Sequence, residues 1–376
     1  MREDGLKQAS RLLFRAIVLK RRILSFLSLL LLCGYAHAVA ISDIYDVEVP
    51  VSGQDPKERA EAVEKGAGMV MDRVAGNSGW RNVLDTAVLA EQAPRLLEEY
   101  SYGYAVVDSG SGPRRLLVLK AHYSAQGFEN LLSQYKVPVW GRNRPQVLVW
   151  MAVEGDRGRE ILGEGASHHL VAAVKYSGQR WGVPLLLPLM DLQDASSLNT
   201  SDLWGFFAEP VEASSTRYSH DSILMVRAYP RSGRWSGLWQ LRVSGQKIAE
   251  ESVEADTVSA MADKMMESVA LSLAHKYAVN LGADAQGDEV TVEVSNVTDF
   301  RAYADILKYM RQLAPVKKAE PVYVGEDIVR FQLKLNGYPE QLAEHLALQP
   351  RLRPELGPST QEEVGRRLYY SWAGDR

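Results

Sequence analysis

The chain has almost no cysteine, and that absence excludes several kinds of chemistry. Cys33 is the only cysteine among the 376 residues, and it lies in the amino-terminal leader described below. Once that leader is removed no thiol remains. Disulfide bonds, thiol catalysis and cysteine-ligated zinc are therefore excluded for a mature, cysteine-free chain.

The leader also lacks an apolar run long enough to cross a membrane. The run from Ile23 to Leu32 is shorter than the roughly 20 residues that a spanning helix needs. Three cationic residues, 20–22, precede it, and Ala36-His37-Ala38 follows it. This order is typical of a secretory signal peptide cleaved after Ala38. We therefore expect a periplasmic protein that begins at Val39 and has no stable membrane span.

Three alternatives concern the same leader. One is an uncleaved membrane anchor. A second is a lipoprotein modified at Cys33, which is disfavoured because the preceding residue, Leu32, is not small. A third is a translation start at Val18, which would give the signal peptide an ordinary length.

Positive charge is scarce in the mature chain. The sequence has 43 Lys and Arg and 47 Asp and Glu, and the first 38 residues hold seven of the basic and two of the acidic ones. The remaining 36 basic and 45 acidic residues give a net charge of −9. A negative surface opposes nonspecific binding to nucleic acid or anionic lipid, so neither is expected as a partner.

Alternating and helical apolar patterns predict an α/β (α+β) fold. We expect two mixed α/β modules followed by a small βαββα module of ferredoxin-like type. The apolar strand near residues 147–154 is expected to close the first module. The predicted segments are a signal peptide (1–38), an amino-terminal α/β domain (39–154), a linker (155–167), a middle α/β domain (168–280), a carboxyl-terminal βαββα domain (288–348) and a tail (349–376).

Two local features belong to the last part of the chain. Thr298 stands before an amphipathic segment and is expected to cap a helix. In the tail, Leu368, Tyr370 and Trp372 alternate with polar residues, which predicts an edge strand that adds to a sheet of this chain.

Several apolar blocks resemble a known family when taken in order. They include "DIYDVEVPV", "VPVWGRNRPQVLVWMAVE", "LWGFFAEPVEASSTRY" and "RLYYSWAG". The chain thereby resembles the proteobacterial domain-of-unknown-function family numbered 2066, whose members are exported and uncharacterised. More loosely, the middle module resembles the small α/β domains of TolB-like periplasmic proteins. The resemblance implies no catalytic residue and no cofactor.

Motifs for catalysis, metal binding or cofactor binding are missing from the sequence. His168 and His169 are adjacent, so they point to different sides of a helix, and they are interpreted as a solvated helix start. Asp191, Asp194 and Asp202 lack the spacing of a calcium loop and are interpreted as solvated loop charges. The glycine-rich stretches 109–112 and 163–169 fit neither a nucleophile elbow nor a phosphate loop. No catalytic residue, metal ligand or cofactor is predicted.

Aromatic residues are the strongest indication of a binding surface. Aromatic side chains commonly anchor interfaces and sugar-binding surfaces, although packing within and between the modules is the alternative for these residues. The segment "LWGFFAEP" is the favoured part because it lies beside predicted loops. The candidate contact residues are Trp140, Trp204, Phe206, Phe207, Trp235 and Trp239.

These observations favour a non-catalytic periplasmic adaptor that binds another protein of the bacterial cell envelope. One alternative is a protein that binds a small molecule or glycan near Trp140 and Trp204, at the junction of the first two modules. The other is an enzyme whose site is assembled from distant residues.

Overall fold

A computed structural model describes residues 44–108, 113–156, 158–281, 289–336, 338–357 and 367–373. The predicted signal peptide, its cleavage site and Cys33 lie outside these residues, as does the glycine-rich turn at 109–112. Residues 41–376 form one compact unit. Three sheets and their helices confirm the predicted α+β class. No helix in the described ranges combines the length and the apolar character needed to cross a membrane.

The first sheet is antiparallel, with strand order β1-β3-β2. One face packs against the helices of this region, whereas the other carries ion pairs such as Lys120 with Glu48 at 2.8 Å. The elements are β1 (Asp46–Pro50), α1 (Pro56–Ala75), a 3₁₀ helix (Ser78–Asn82), α2 (Thr86–Leu96), β2 (Leu97–Asp108), β3 (Pro113–Tyr123) and α3 (Ala125–Gln134).

Helix α1 shows how local sequence fixes an element. The Asp55 carboxylate accepts hydrogen bonds from the first free backbone N–H groups, and Pro56 occupies the first turn, where its missing N–H costs nothing. Apolar residues three and four apart, such as Val63, Ala67 and Val70, face the sheet. Gly76 ends the helix in the left-handed region with φ of 73°.

The second sheet has six strands in the order β5-β4-β7-β8-β9, and β6 pairs with the start of β4. Helices α4 and α8 cover one face, and three short helices, α5 to α7, cover part of the other. The elements are β4 (Val147–Gly155), β5 (Gly158–Leu162), α4 (His169–Trp181), β6 (Leu185–Leu186), α5 (Leu192–Ser197), α6 (Thr200–Trp204), α7 (Ala208–Ser215), β7 (Ser222–Arg231), β8 (Arg234–Val243), β9 (Gln246–Ala255) and α8 (Val258–Tyr277).

Two features of this sheet differ from the sequence-based expectation. Strand β4 does not close the first sheet: it pairs with β5, β6 and β7. Residues 158–162, expected in a polar connection, form an edge strand because they fold back on β4 in a hairpin. Strands β8 and β9 form a hairpin, and its turn at Ser244 and Gly245 has positive φ at both residues, as a type I′ turn requires.

The third sheet has the order β11-β12-β10-β14-β13. Apolar residues of β10 and β12, such as Val292 and Phe331, pack against Ile306 and Leu346 of its two helices. The elements are β10 (Glu289–Ser295), α9 (Phe300–Gln312), β11 (Val316–Val324), β12 (Val329–Leu335), α10 (Pro339–Ala347), β13 (Leu352–Pro354) and β14 (Arg367–Trp372).

The ferredoxin-like arrangement of this module is not confirmed, although the predicted βαββα order is present. The extra strand β13 reverses the chain after α10, so β14 enters beside β10 in the parallel direction. Strand β14 is therefore an interior strand and not the predicted edge strand. The helix cap is also one residue later than expected: the Asp299 carboxylate, not Thr298, accepts the N–H of Ala302 at 2.8 Å.

Two buried arginines join the first sheet to the second. Arg144 donates to five backbone carbonyls, which belong to Trp140, Gly141, Trp181, Gly182 and Arg73. Arg73 in turn donates to carbonyls of Ile44, Asp46 and Arg180. Burial lowers the pKa of Arg144 to about 9, so the guanidinium still carries its charge at neutral pH. We call this arrangement the arginine clamp.

Candidate functional site

The six candidate aromatic residues divide between the two faces of the second sheet. Trp140 and Trp239 are fully buried, and Trp235 is partly buried, on the face covered by α4 and α8. Trp204 and Phe206 pack against the cluster on the opposite face. Trp140 and Trp204 therefore lie on opposite faces of the second sheet.

The segment 204–207 belongs to a helical excursion, residues 187–221, between β6 and β7. Trp204 ends α6, and Phe207 occupies the position before α7. Phe207 remains 58% exposed in the folded chain. We call Trp204, Phe206 and Phe207 the aromatic platform. Two other large apolar side chains of the same excursion, Leu189 and Leu192, are also exposed.

Two arginines brace the platform. The guanidinium carbon of Arg159 lies 4.1 Å from the ring centroid of Trp204, and that of Arg227 lies 5.4 Å from the ring of Phe206. Arg227 also donates from Nη1 to the carbonyl of Trp204 at 2.7 Å. Cation–π contacts of this kind contribute roughly 0.5–1 kcal/mol each when partly exposed. The rings are therefore held in defined positions by neighbouring strands.

Phe206 has an unusual backbone conformation for a bulky residue. Its φ is 56°, in the left-handed region that usually holds glycine or asparagine. A residue with a Cβ atom pays roughly 1–2 kcal/mol for this conformation. Since such strain clusters at functional sites, the conformation is a reason to look for function at the platform.

A polar network anchors the base of the excursion. The Asp194 carboxylate, fully buried, accepts from Arg217 at 2.9 Å, from the N–H of Met190 at 2.9 Å and from the hydroxyl of Tyr218. Arg217 also forms a bidentate pair with Asp191 at 2.7 and 2.8 Å. The hydrogen bond from Arg217 holds the pKa of Asp191 well below its usual range. Burial, together with the bond to Asp194, raises the pKa of Tyr218 to about 12.

This network explains the acidic loop noted in the sequence. Asp191 and Asp194 both form ion pairs with Arg217. Asp202 accepts a hydrogen bond from Asn199 at 3.1 Å. Across the described ranges, no three His, Cys, Asp or Glu side chains are grouped as metal ligands would be. The interpretation of these aspartates as solvated charges is therefore only partly right, because Asp194 is a buried structural acid.

His168 of the histidine pair also has a structural role. His168 is the N-cap of α4, and its Nδ1 accepts the N–H of Leu170 at 3.0 Å. Its ring lies 6.5 Å from that of Trp235 in an edge-to-face arrangement. Burial lowers the pKa of His168, which favours the neutral ring that can accept this bond.

Sequence reasoning missed the arginines of the platform. Arg227 interrupts the otherwise apolar strand "SILMVRAY", and a charged residue in a buried strand needs a partner. That interruption was the available signal. Arg159 lies in the segment taken for a linker, where nothing local indicates a contact with Trp204.

The fold and the platform together define an α+β protein that presents braced aromatic side chains on a helical excursion. One family model matches the chain: it is described as "Domain of unknown function (DUF8605)" and covers residues 38–141. The match contains the first sheet and its helices but not the platform. Neither the curated proteins nor the solved structures gave a match.

The family match corrects the resemblance inferred from the sequence. The matching model describes a different family from the one numbered 2066, and no TolB-like protein matches. Most of the blocks that suggested the resemblance contain strands of the sheets, such as β1 and β4. Short apolar strands of this kind recur in unrelated proteins because any sheet core requires them, so they identify a family poorly.

Proposed function

We propose that this protein is a non-catalytic adaptor of the bacterial cell envelope, which binds another envelope protein through the aromatic platform. The observation that carries the proposal is the combination at residues 204–207. A strained backbone at Phe206 and two arginines hold Trp204 and Phe206, and the adjacent Phe207 stands largely in solvent.

The shape of the platform favours a protein over a small ligand. Small-molecule sites are concave and bury most of their ligand, whereas Phe207 projects from the surface. Aromatic and arginine side chains are enriched among the residues that dominate protein interfaces. A mature charge of −9 further disfavours nucleic acid as the partner.

The cellular compartment is part of the same proposal. Its support is the leader sequence, with a cationic start, a short apolar run and a small-residue cleavage site before Val39. Mass spectrometry of the protein isolated from cells tests it. A chain that begins at Val39 is the expected result, and a retained leader would contradict the periplasmic assignment.

Site-specific photocrosslinking in intact cells tests the platform directly. A photoreactive phenylalanine analogue replaces Phe207 in one strain and Phe300 in another. Phe300 is a matched control because it is 80% exposed but lies on α9 of the third sheet. We expect one envelope protein to be captured from position 207 and not from position 300. Capture from both positions, or from neither, would refute the proposal.

A substitution then measures the contribution of the exposed ring. Phe207→Ser should weaken binding of the captured protein by about 2 kcal/mol, roughly 30-fold, if Phe207 is an interface anchor. Phe300→Ser should leave the affinity unchanged. Circular dichroism of both variants checks that the fold is retained.

A further inference from the structure

A concave feature lies away from the platform, at the end of the second sheet where it meets the third module. The cavity has a volume of about 580 Å³, within the range of roughly 300–1,000 Å³ typical of small-molecule sites. Its wall includes the start of β7, the β8–β9 turn and the last turns of α7, α8 and α10.

Three helices direct their carboxyl ends at this cavity. Thr216 follows α7, Tyr277 ends α8, and Leu348 follows α10, and all three line the wall. A helix carries about half a negative charge at its carboxyl end, so these ends add a negative potential. The backbone alone therefore favours a cation over an anion here.

The charged side chains of the wall leave one carboxylate without a cation. Glu212 pairs with Arg242 at 2.8 Å, and Lys276 pairs with Glu344 at 2.5 Å. Asp221 accepts the N–H of Gln146 at 2.7 Å, and no cationic side chain of the described ranges forms a salt bridge with it. Burial raises the pKa of Asp221, and the hydrogen bond from Gln146 and the neighbouring His220 of the wall oppose that shift only in part.

Tyr277 adds an unused hydrogen-bonding group. The residue is only 4% exposed, it lines the cavity, and its hydroxyl has no hydrogen bond within the part of the chain that the structure describes. Burial raises the pKa of Tyr277, and the charges of Glu344 and Asp221 raise it further. The hydroxyl is not among the side-chain atoms that are shut off from solvent without a partner, so a molecule in the cavity can form a hydrogen bond with it.

We propose that this cavity binds a small molecule carrying a primary ammonium group. The Asp221 carboxylate is the counter-ion and the Tyr277 hydroxyl is a further acceptor. Ile223, Val243 and Leu348 provide apolar wall for the carbon skeleton of the ligand. An anionic ligand would face Asp221 and three helix carboxyl ends, and Arg242 and Lys276 of the wall are already paired with Glu212 and Glu344.

Pairs of probes that differ in the ammonium group test this proposal by calorimetric titration of the purified protein. The pairs are glucosamine with N-acetylglucosamine, and cadaverine with 1-pentanol. We expect binding of at least one ammonium probe and much weaker binding of its neutral counterpart. Equal binding of both members of each pair, or no binding of either ammonium probe at millimolar concentration, would overturn the proposal.

Three variants assign the contacts. Asp221→Asn keeps an oxygen for the N–H of Gln146 but removes the charge, and it should lower affinity at least tenfold. Tyr277→Phe keeps the packing and should lower affinity by a smaller factor. Glu61→Gln makes the same change of net charge on the exposed side of α1 and should have no effect. Unchanged affinity in both cavity variants would contradict the assignment of Asp221 and Tyr277 as ligand contacts. If Asp221→Asn does not fold, Tyr277→Phe alone tests the assignment.

Discussion

The arginine clamp gives a quantitative prediction about stability. Arg144→Met keeps most of the side-chain volume but removes all five hydrogen bonds from the guanidinium to backbone carbonyls. It also removes the stacking of Arg144 on Trp140, where the guanidinium carbon lies 3.9 Å from the ring centroid. We expect the junction between the first and second sheets to weaken.

The size of the effect follows from the carbonyls. Within the described ranges only the carbonyl of Arg73 accepts a second backbone bond, from Gly76 at 3.2 Å. Four carbonyls thus lose their partner, at about 1 kcal/mol each. Methionine also removes the cost of burying a charge, so we expect a net loss of about 3 kcal/mol.

Urea unfolding at pH 7 measures the change. With a denaturant dependence of about 3 kcal/mol/M for a chain of this size, the midpoint should fall by about 1 M. Arg311→Met is the control, because Arg311 makes a single bond of 3.4 Å to the carbonyl of Ala319. If the midpoint of Arg144→Met shifts no more than that of Arg311→Met, the clamp does not stabilise the junction and the reasoning is refuted.

Three further predictions concern local features. Gly76→Ala should destabilise the protein by about 2–4 kcal/mol in urea unfolding, because φ is positive at Gly76 and the new Cβ would lie 2.4 Å from the Cβ of Ala274. The control Gly68→Ala places its Cβ in open space on α1 and should stabilise the protein by about 0.5–1 kcal/mol. His345 is buried and donates from Nε2 to the carbonyl of Tyr277, while its Nδ1 has no partner in the described ranges. Because burial lowers the pKa of His345, the free energy of unfolding should be constant above pH about 6.5 and should fall below that pH by up to about 1.4 kcal/mol per pH unit. The variant His345→Gln should lack this slope. Asp194→Asn should lower stability by about 2–3 kcal/mol and speed amide hydrogen exchange in residues 187–221 first; uniform exchange would contradict a local anchor.

Local elements followed from the sequence where local chemistry decides them. Asp55 and Pro56 mark the start of α1, and Ser244-Gly245 marks the β8–β9 turn, because each residue acts within a few positions of itself. Strand partners were harder to foresee. Val147 pairs with Ser222 in the parallel direction, and an apolar run does not reveal which distant run lies beside it.

The sequence pattern alone does not show which of the aromatic side chains are buried. Trp239 and Phe207 both stand in apolar surroundings along the chain, yet one is fully buried and the other projects into solvent. The difference depends on α4 and α8, which cover one face of the second sheet, and on the excursion, which covers only part of the other. That coverage is a tertiary property and leaves no local trace in the sequence.

The position of β14 has a consequence for the order in which the protein acquires its structure. Thr291 of β10 pairs with Arg367 of β14. The middle of the third sheet therefore joins two segments that are distant in the sequence and are synthesised at different times. A ribosome must synthesise the chain beyond residue 372 before β10 can gain this neighbour. The third sheet therefore completes only after that stretch has been translated, and until then β10 can pair with β12 on one side while its other edge stays open.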